Sequence, residues 1–324
     1  PTGQRVSSVG YPFQTPGKPY LMPADGLLSP SMQTCAEFMR LFWNDETFAA
    51  DRTAVHQKWN DDLFKEGKKY RIGYWTQDSW LQAVPAQVRA IEKAKAALEA
   101  SGHSVVPFNL PLPVDMIYPM YVGQCFMDGG DKLSRLFDTE LTPSQFQPYR
   151  SMLAYPVWFK KIRGYAYKCL GWRRNAIEQL AFPLTPAAVL KCCHDVLNYR
   201  VMMSEAMQMA ELDALMCPPT YTPALKSGTA LQLPKYVFFP TSHFNLLDFA
   251  AGVVQVTSFS EADQDAMADY VPECEEERIF KRECQKGARG LPIGVQLAAP
   301  SMNDELCLRI LIDLEEELRQ QKME

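Results

Sequence analysis

The stretch from Tyr70 to Phe108 constrains the fold more than any other part of the sequence, because it holds two strand-like segments on either side of one helix. Tyr70–Trp75 (YRIGYW) and Ser104–Phe108 (SVVPF) are short and rich in aromatic or β-branched residues, which is typical of strands. Between them, Pro85–Ser101 has a helical pattern, with proline in the first turn and Gly102 as a stop signal. This β-α-β order with short connections favours an α/β sheet.

Elements of both kinds are predicted in the rest of the chain. Helices are predicted for Met32–Trp43, for Pro186 to about Leu212, and for a last segment that begins at Ser301 or Asn303. Three further apolar segments are predicted to be strands: DALMC (213–217), FAAGVVQVTSF (249–259) and LPIGVQLAA (291–299). Pro12–Ser31 is rich in proline and glycine and is predicted to be a loop.

Composition excludes several classes of protein. The 324 residues are 47% hydrophobic and 22% charged, which fits a packed globular protein, and the net charge of −5 argues against a general nucleic-acid binder. The nine cysteines form no Cys-x-x-Cys pair, so zinc-site spacing is absent, and their odd number favours a reducing, intracellular setting. No apolar run approaches the ~18 residues of a membrane span. The opening PTGQRVSSVGYP reads as the interior of a longer sequence, which predicts that further chain precedes it.

The residues alone indicate no catalytic centre. The sequence contains no His-Glu-x-x-His motif, and MDGGDK (127–132) lacks the spacing of a phosphate-binding loop. The four histidines are scattered, and His194 and Asp195 lie next to each other in a predicted helix, where adjacent side chains point apart. Ser7 and Ser8 lack a glycine-rich context and are not predicted to be nucleophiles.

One window of the chain, from Leu141 to Ile177, contains no acidic residue although the whole chain is acidic. If a helix starts at Pro156, one stripe along it is apolar and the opposite side is basic. The stripe consists of Trp158, Ile162, Tyr165, Cys169 and Trp172, and the opposite side of Lys160, Lys161, Arg163, Lys168 and Arg174; Arg150 and Arg173 complete the seven basic residues of the window. Three interpretations compete: a stripe packed on its own domain with the charges facing water, a helix on a membrane surface, and a nucleic-acid site. The acidic flanks make the third the weakest.

Several motifs, taken in order, resemble the amidase signature family of serine hydrolases. The first is PTGQRVSSVGY at residue 1, and another is GLPIGVQLAAP (290–300). Within the family, the resemblance is strongest to the enzymes that hydrolyse fatty-acid amides. It is carried by RIGYWTQDSWLQAVPAQVRAIEKAKAALEASGHSVVPF (71–108), CFMDGGDKL (125–133), LNYRVMMSEAMQMAELDALMCPP (197–219), FNLLDFAAGVVQVTSF (244–259) and MNDELCLRILIDLEEEL (302–318).

The resemblance implies an α/β fold with a mixed β-sheet covered by helices on both faces, of which residues 1–324 form the C-terminal portion of a single domain. It implies acyl transfer from a lipid amide through a covalent acyl-enzyme, followed by hydrolysis. The family's Ser-Ser-Lys machinery precedes the Pro-Thr-Gly segment, so no catalytic residue is expected in this chain, and the chain alone is expected to be inactive. No cofactor and no metal are implied.

The resemblance also assigns binding residues. Phe126 matches a phenylalanine of the acyl-chain channel, Phe238 and Ser242 are the nearest counterparts of two other channel positions, and Glu277 stands where a channel tryptophan is expected. Residues 149–178 fall where the family's lipid-amide hydrolases carry a membrane-surface helical cap, a pair of helices beside the mouth of the acyl channel. The residues expected to contact the membrane are Trp158, Lys160, Lys161, Ile162, Arg163, Tyr165, Lys168, Trp172, Arg173 and Arg174.

The expected partners are therefore a lipid amide and a membrane, and no nucleic acid. The expected location is the cytoplasmic face of an internal membrane, and a homodimer is possible. Two alternatives stay open. One is a soluble amidase of the same family that acts on small amides or within an amidotransferase. The other is a non-catalytic lipid-binding module or pseudoenzyme.

Overall fold

The computed structural model describes residues 18–21, 24–50, 54–139, 141, 147–183, 185–226, 228–229, 233 and 235–323, without the side chains of residues 148, 149 and 235. The segment PTGQRVSSVGY, with Ser7 and Ser8, lies outside the described residues, as do residues 12–17, 22 and 23 of the predicted loop.

A five-stranded mixed sheet forms the centre of the fold, in the order β2-β1-β3-β5-β4. Its strands are β1 (Arg71–Tyr74), β2 (Ser104–Pro107), β3 (Ala214–Cys217), β4 (Ala250–Ser258) and β5 (Pro292–Ala299). β1 pairs in parallel with both β2 and β3, with Ile72 opposite Val105 and Ala214. β5 runs antiparallel to β3 and to β4. The predicted mixed sheet is therefore confirmed.

Helices surround the sheet. They are α1 (Met32–Phe42), α2 (Asp45–Ala50), α3 (Asp61–Phe64), α4 (Pro85–Ala100), α5 (Val114–Cys125), α6 (Asp131–Thr139), α7 (Gln147–Ala154), α8 (Val157–Cys169), α9 (Arg173–Leu180), α10 (Pro186–Met209), α11 (Phe239–Leu247), α12 (Glu261–Ala266), α13 (Glu275–Gln285) and α14 (Asp304–Met323). All four residues of β3 and the last five of β5 are buried, so the centre of the sheet is covered on both faces.

The predicted β-α-β unit is present, because its local signals agree with its packing. α4 begins at Pro85, whose fixed φ suits the first turn, and the chain leaves the helix through Gly102 at φ +88°. The alanines of α4 are small enough to bring the helix close to its neighbours, and Ala86, Ala90, Ala94 and Ala97 are all fully buried. The two strands on either side therefore lie next to each other in parallel.

An ion pair between half-exposed Arg89 and buried Asp263 joins α4 to α12, just after β4. Arg89 donates from Nε to Asp263 Oδ1 (2.8 Å) and from an NH2 group to Oδ2 (2.6 Å), and it also donates to the carbonyl of Ser258 (2.9 Å). Asp263 in turn completes a capping box with Ser260 at the start of α12. Burial alone would raise the pKa of Asp263, but the bonds from Arg89 and Ser260 outweigh it and hold this pKa below its usual value.

We expect Asp263→Ala to lower the free energy of unfolding by about 2–3 kcal/mol, because a cap and two charge-assisted hydrogen bonds are lost together. The folded-state pKa is depressed, so this contribution is present above the unfolded pKa of about 3.9 and is lost as the pH falls through the folded pKa. Urea denaturation at neutral and acid pH measures both effects. Asp265→Ala, an exposed change in the same helix, is the matched control, and equal losses for the two variants would contradict the prediction.

Candidate functional site

Phe126, the first of the predicted acyl-chain residues, lies at the C-terminal end of α5 and is buried. Its ring stacks on that of Phe182, with the centroids 4.6 Å apart and the planes at 13°. Phe182 is itself fully buried, just after α9. Phe126 therefore belongs to an aromatic core that lies beneath the helices of the 149–178 segment.

The other two predicted acyl-chain residues are close to each other in sequence but differ in exposure. Ser242 is half-buried in α11, and its hydroxyl is hydrogen-bonded to the Tyr121 hydroxyl on α5. Tyr121 lies about one turn before Phe126, so the structure links Ser242 to the end of the same helix. Phe238 precedes α11 and keeps more than a third of its surface exposed.

Sequence reasoning missed a cluster of aromatic rings between α5 and α11. Tyr118 contacts the rings of Trp80, Tyr236 and Phe239 at centroid distances of 5.4, 6.1 and 5.4 Å, and the last two are edge-to-face. Such pairs add attraction beyond the burial of their surface. The four residues come from three separate segments and show no common spacing, so no sequence pattern identified them.

A narrow cleft with a volume of about 20 Å³ lies where β1 and β3 end. Its lining includes the polar or titratable residues Asp78, Tyr221, Cys217 and His243, together with Thr76 and Gln77. Asp78 Oδ2 accepts the Tyr221 hydroxyl at 2.7 Å, and Oδ1 accepts the Trp80 N–H at 2.8 Å. Burial raises the pKa of Asp78 although these bonds oppose it. The only local signal for this turn is the sequence Asp78-Ser79-Trp80. An aspartate carboxylate in such a turn accepts the backbone N–H of the residue two positions later.

The cleft holds no activated nucleophile among its described residues. Burial raises the pKa of the Cys217 thiol to about 12, so the reactive thiolate is scarce at neutral pH. Burial lowers the pKa of His243 to about 4, and one ring nitrogen lies 2.6 Å from the Tyr199 hydroxyl. The imidazole is therefore neutral at physiological pH and held by a structural bond. Nor do the described residues contain a cluster of side chains that could hold a metal ion.

Glu277, which stands at the expected position of a channel tryptophan, is a structural residue in this fold. It is fully buried in α13, where its carboxylate accepts the N–H groups of Gln82 (2.9 Å) and Glu273 (2.7 Å). These bonds join α13 to the chain after β1.

Within the acid-free window, the stretch from Trp158 to Arg174 is divided between two helices, α8 and α9. α8 ends at Cys169, the chain turns through Gly171 at φ +78°, and α9 begins at Arg173. The single helix wound from Pro156 to Arg174 is therefore wrong, because Gly171 allows a turn that the side chains of most residues disfavour. The pair of helices that the resemblance implies is present. Gly164 allows the two helices to approach closely, since a Cβ atom there would lie 2.7 Å from Leu180 Cγ.

The apolar stripe of this helix pair points away from the protein. The exposed fractions are 61% for Trp158, 56% for Ile162, 62% for Tyr165, 64% for Leu170 and 57% for Trp172. The interpretation in which the stripe packs on its own domain and the charges face water is wrong for the described chain. We refer to these five residues as the hairpin surface.

Lys160, predicted to contact a membrane, is instead fully buried. Its ammonium donates to the carbonyls of Gly129 (3.1 Å) and Leu153 (3.2 Å) and lies 4.4 Å from the centroid of the Phe182 ring. Burial lowers the pKa of Lys160 to about 8, against the opposing effect of Asp128. Lys160 therefore cannot belong to a contact surface, and it fastens α8 to the aromatic core that contains Phe126.

Other basic residues of the window also have partners in the protein. Lys161 donates to the carbonyl of Leu180, and Arg174 donates to that of Trp80 and lies over its ring. Arg173 is paired with Asp115 of α5. No sequence pattern indicated these partners, because they lie on other elements.

Comparisons with known proteins agree with this architecture. The chain is 32% identical over 326 aligned positions to "Fatty acid amide hydrolase 1" of Caenorhabditis elegans, with 97% of this chain and 55% of that protein covered. It is 27% identical over 321 positions to "Fatty-acid amide hydrolase 1" of Sus scrofa, with 97% and 54% covered. The chain thus spans about half the length of the curated relatives it matches.

Solved structures show the same fold. A structure of "Fatty acid amide hydrolase" superposes with a TM-score of 0.70 at 18% identity, over 98% of this chain and 52% of that one. A bacterial aryl acylamidase of the amidase signature family superposes with a TM-score of 0.58 at 12% identity, over 98% and 57%. A family model described as "Amidase" matches residues 1–308. With this match over nearly its whole length, the chain belongs to the amidase signature family.

Proposed function

We propose that the protein hydrolyses the C–N bond of fatty-acid amides at a membrane surface. A serine nucleophile on sequence outside residues 1–324 attacks the amide carbonyl, the amine leaves with a proton, and water hydrolyses the acyl-enzyme to a free fatty acid. The described chain contributes acyl-chain contacts and a surface that faces the source of the lipid.

One observation carries this proposal: the alignment with two fatty-acid amide hydrolases covers 97% of the chain and includes the segment around Phe126. The structure adds a physical connection. The ammonium of Lys160 in α8 contacts the Phe182 ring, which stacks on Phe126, while Trp158 and Ile162 of the same helix face outward. An apolar surface and a predicted acyl-chain contact are therefore separated by one layer of side chains.

The membrane contact would be peripheral in the part of the chain that the structure describes. None of the described helices is both long and apolar enough to cross a bilayer. We propose that the protein attaches to the cytoplasmic face of an internal membrane through α8 and α9.

We expect a longer form of the protein, which includes the sequence before Pro1, to hydrolyse a long-chain acyl amide and to be labelled by a fluorophosphonate probe of serine hydrolases. The 324-residue chain alone should do neither. Turnover by the 324-residue chain would contradict the proposed position of the nucleophile. Hydrolysis of short amides only by the longer form would favour a soluble small-amide amidase, and no turnover with any amide would favour a non-catalytic module.

We expect Phe126→Leu to lower kcat/KM for a long-chain acyl amide by roughly tenfold, because a large apolar contact with the acyl chain is reduced, and to change the value for a short-chain amide by less than about threefold. The ratio of the two values in one preparation corrects for any loss of folded protein. Phe259→Leu, at a buried phenylalanine beyond the end of β4, is the control and should leave the ratio unchanged. A proportional loss on both substrates would assign Phe126 to packing alone.

A further inference from the structure

We infer that Lys160 is a positioning residue for the acyl-chain site, because its ammonium fixes the side chain of Phe126 and thereby strengthens the preference for long-chain amides. The inference rests on the proposed function, in which Phe126 contacts the acyl chain, and deepens it by naming what sets the specificity of that contact. Lys160 acts through Phe126 and not on the substrate, since Lys160 is fully buried.

The burial of Lys160 is the first observation. The residue lies near the start of α8 and, unlike the residues of the hairpin surface, it is fully buried. Removing an ammonium from water is unfavourable unless protein groups replace the water, and an apolar side chain of similar length would fill the same space without that cost. The charge is therefore best explained by what it contacts, which is two carbonyl oxygens and one aromatic ring.

The first connection to Phe126 runs through that ring. The Lys160 ammonium lies 4.4 Å from the centroid of the Phe182 ring, and the Phe126 ring stacks on Phe182 with the centroids 4.6 Å apart. Phe182 therefore lies between the ammonium and Phe126. A cation is attracted to an aromatic face, and the attraction is stronger where water is excluded. The ammonium thus stabilises the one position of Phe182 on which Phe126 stacks.

The second connection runs through the turn that follows Phe126. Gly129 donates its N–H to the Phe126 carbonyl (2.9 Å), and the Gly129 carbonyl accepts Lys160 Nζ at 3.1 Å. Asp128 closes the turn by accepting the N–H of Gly130 at 2.9 Å. Gly130 has a φ of +90°, and a Cβ atom there would lie 3.7 Å from Phe126 Cδ1. The turn therefore packs on the Phe126 ring, and Lys160 is bonded to this turn.

These connections decide where the Phe126 ring lies, because α5 does not. Phe126 is the residue after the last turn of α5, and its backbone angles (φ −126°, ψ 40°) are not helical. The carbonyl of buried Leu153 in α7 is the other oxygen bonded to Lys160 Nζ, at 3.2 Å. One charge thus joins α7, the turn after Phe126 and the ring of Phe182, and its loss would release the ring and the turn together.

The charge of Lys160 also changes in an accessible range of pH. Burial lowers the pKa of Lys160 to about 8, and the carboxylate of Asp128 opposes this change. The ammonium is therefore the main form at neutral pH, and it is lost as the pH rises through about 8.

Other charged side chains on the elements around Lys160 are bonded elsewhere. The pairs are Arg150 with Asp138, Arg173 with Asp115, Arg174 with the Trp80 carbonyl, and Glu178 with the Tyr118 hydroxyl. Among the described residues, Asp128 is the charged group that acts on the ammonium.

The test compares kcat/KM for a long-chain and a short-chain acyl amide in the longer form of the protein, which includes the sequence before Pro1. Lys160→Met keeps the length of the side chain and removes its charge. We expect it to lower the long-chain value by roughly tenfold and the short-chain value by less than about threefold. The matched control is Arg309→Met in α14, which removes another buried cation, 5.5 Å from the centroid of the Phe64 ring, and should leave the ratio of the two values unchanged.

A pH profile separates positioning from a purely structural role. In the ratio of the two values, the pH dependence of the shared nucleophile cancels. The ratio of the wild-type protein should fall as the pH rises through about 8, whereas the lower ratio of Lys160→Met should stay constant. Phe182→Leu should lower the ratio too, and the double variant should lower it no further than the larger single change, because both residues act through Phe126.

An equal loss on both amides, or a wild-type ratio that does not change with pH, would overturn the inference. The wild-type profile decides the question even where Lys160→Met fails to fold, which thermal melting reveals. Calorimetric binding of a long-chain fatty acid reports the same acyl-chain contact without turnover. Binding weakened by Lys160→Met in a protein that hydrolyses no amide would support the inference and contradict the proposed hydrolysis, and the absence of both binding and turnover would contradict both.

Discussion

The parallel pairing of β1 with both β2 and β3 determines where the segments that build the cleft come together. Parallel neighbours place their carboxyl ends at the same edge of the sheet, so the segments that follow β1 and β3 meet there. Asp78 comes after β1 and Tyr221 after β3, and the bond between them closes the floor of the cleft. The same segment after β1 carries Trp80, which contacts the aromatic cluster and receives Arg174 from α9. The sheet thus positions both the cleft and the helix pair above it.

Within the helix pair α8–α9, α8 buries the charged Lys160 and exposes the apolar Trp158, Ile162 and Tyr165. This is the reverse of the usual arrangement of an amphipathic surface helix. Lys160 can be buried because two carbonyls and an aromatic face replace the water around its ammonium, although the lowered pKa shows that the replacement is incomplete. Close approach at Gly164 then fixes α8 on α9. With Lys160 and Lys161 bonded to the protein, α8 presents Trp158, Ile162 and Tyr165 outward.

The parts of the fold that could be predicted from the sequence are those with local signals. α4 has proline at its start and glycine after its end, and the strands are short apolar runs. α5 was not predicted, because Pro119 lies inside it and its aromatic residues mask the helical period. For α8 the sequence predicted two faces but not which one points inward. That choice depends on Phe182, Leu180 and Gly129, which become neighbours only in the folded chain. Asp78 and Tyr221 were missed for the same reason, since they are 143 positions apart.

The strand order ends at β2 on one side of the sheet and at β4 on the other. Within the described residues, β2 and β4 each pair with one neighbour, so each leaves one side of its backbone without a strand. Such edges accept further strands, either from the same protein or from another molecule. A strand added beside β2 would extend the parallel half of the sheet, and a strand added beside β4 would extend the antiparallel half. A longer polypeptide could therefore widen this sheet at either margin without disturbing the pairs already formed.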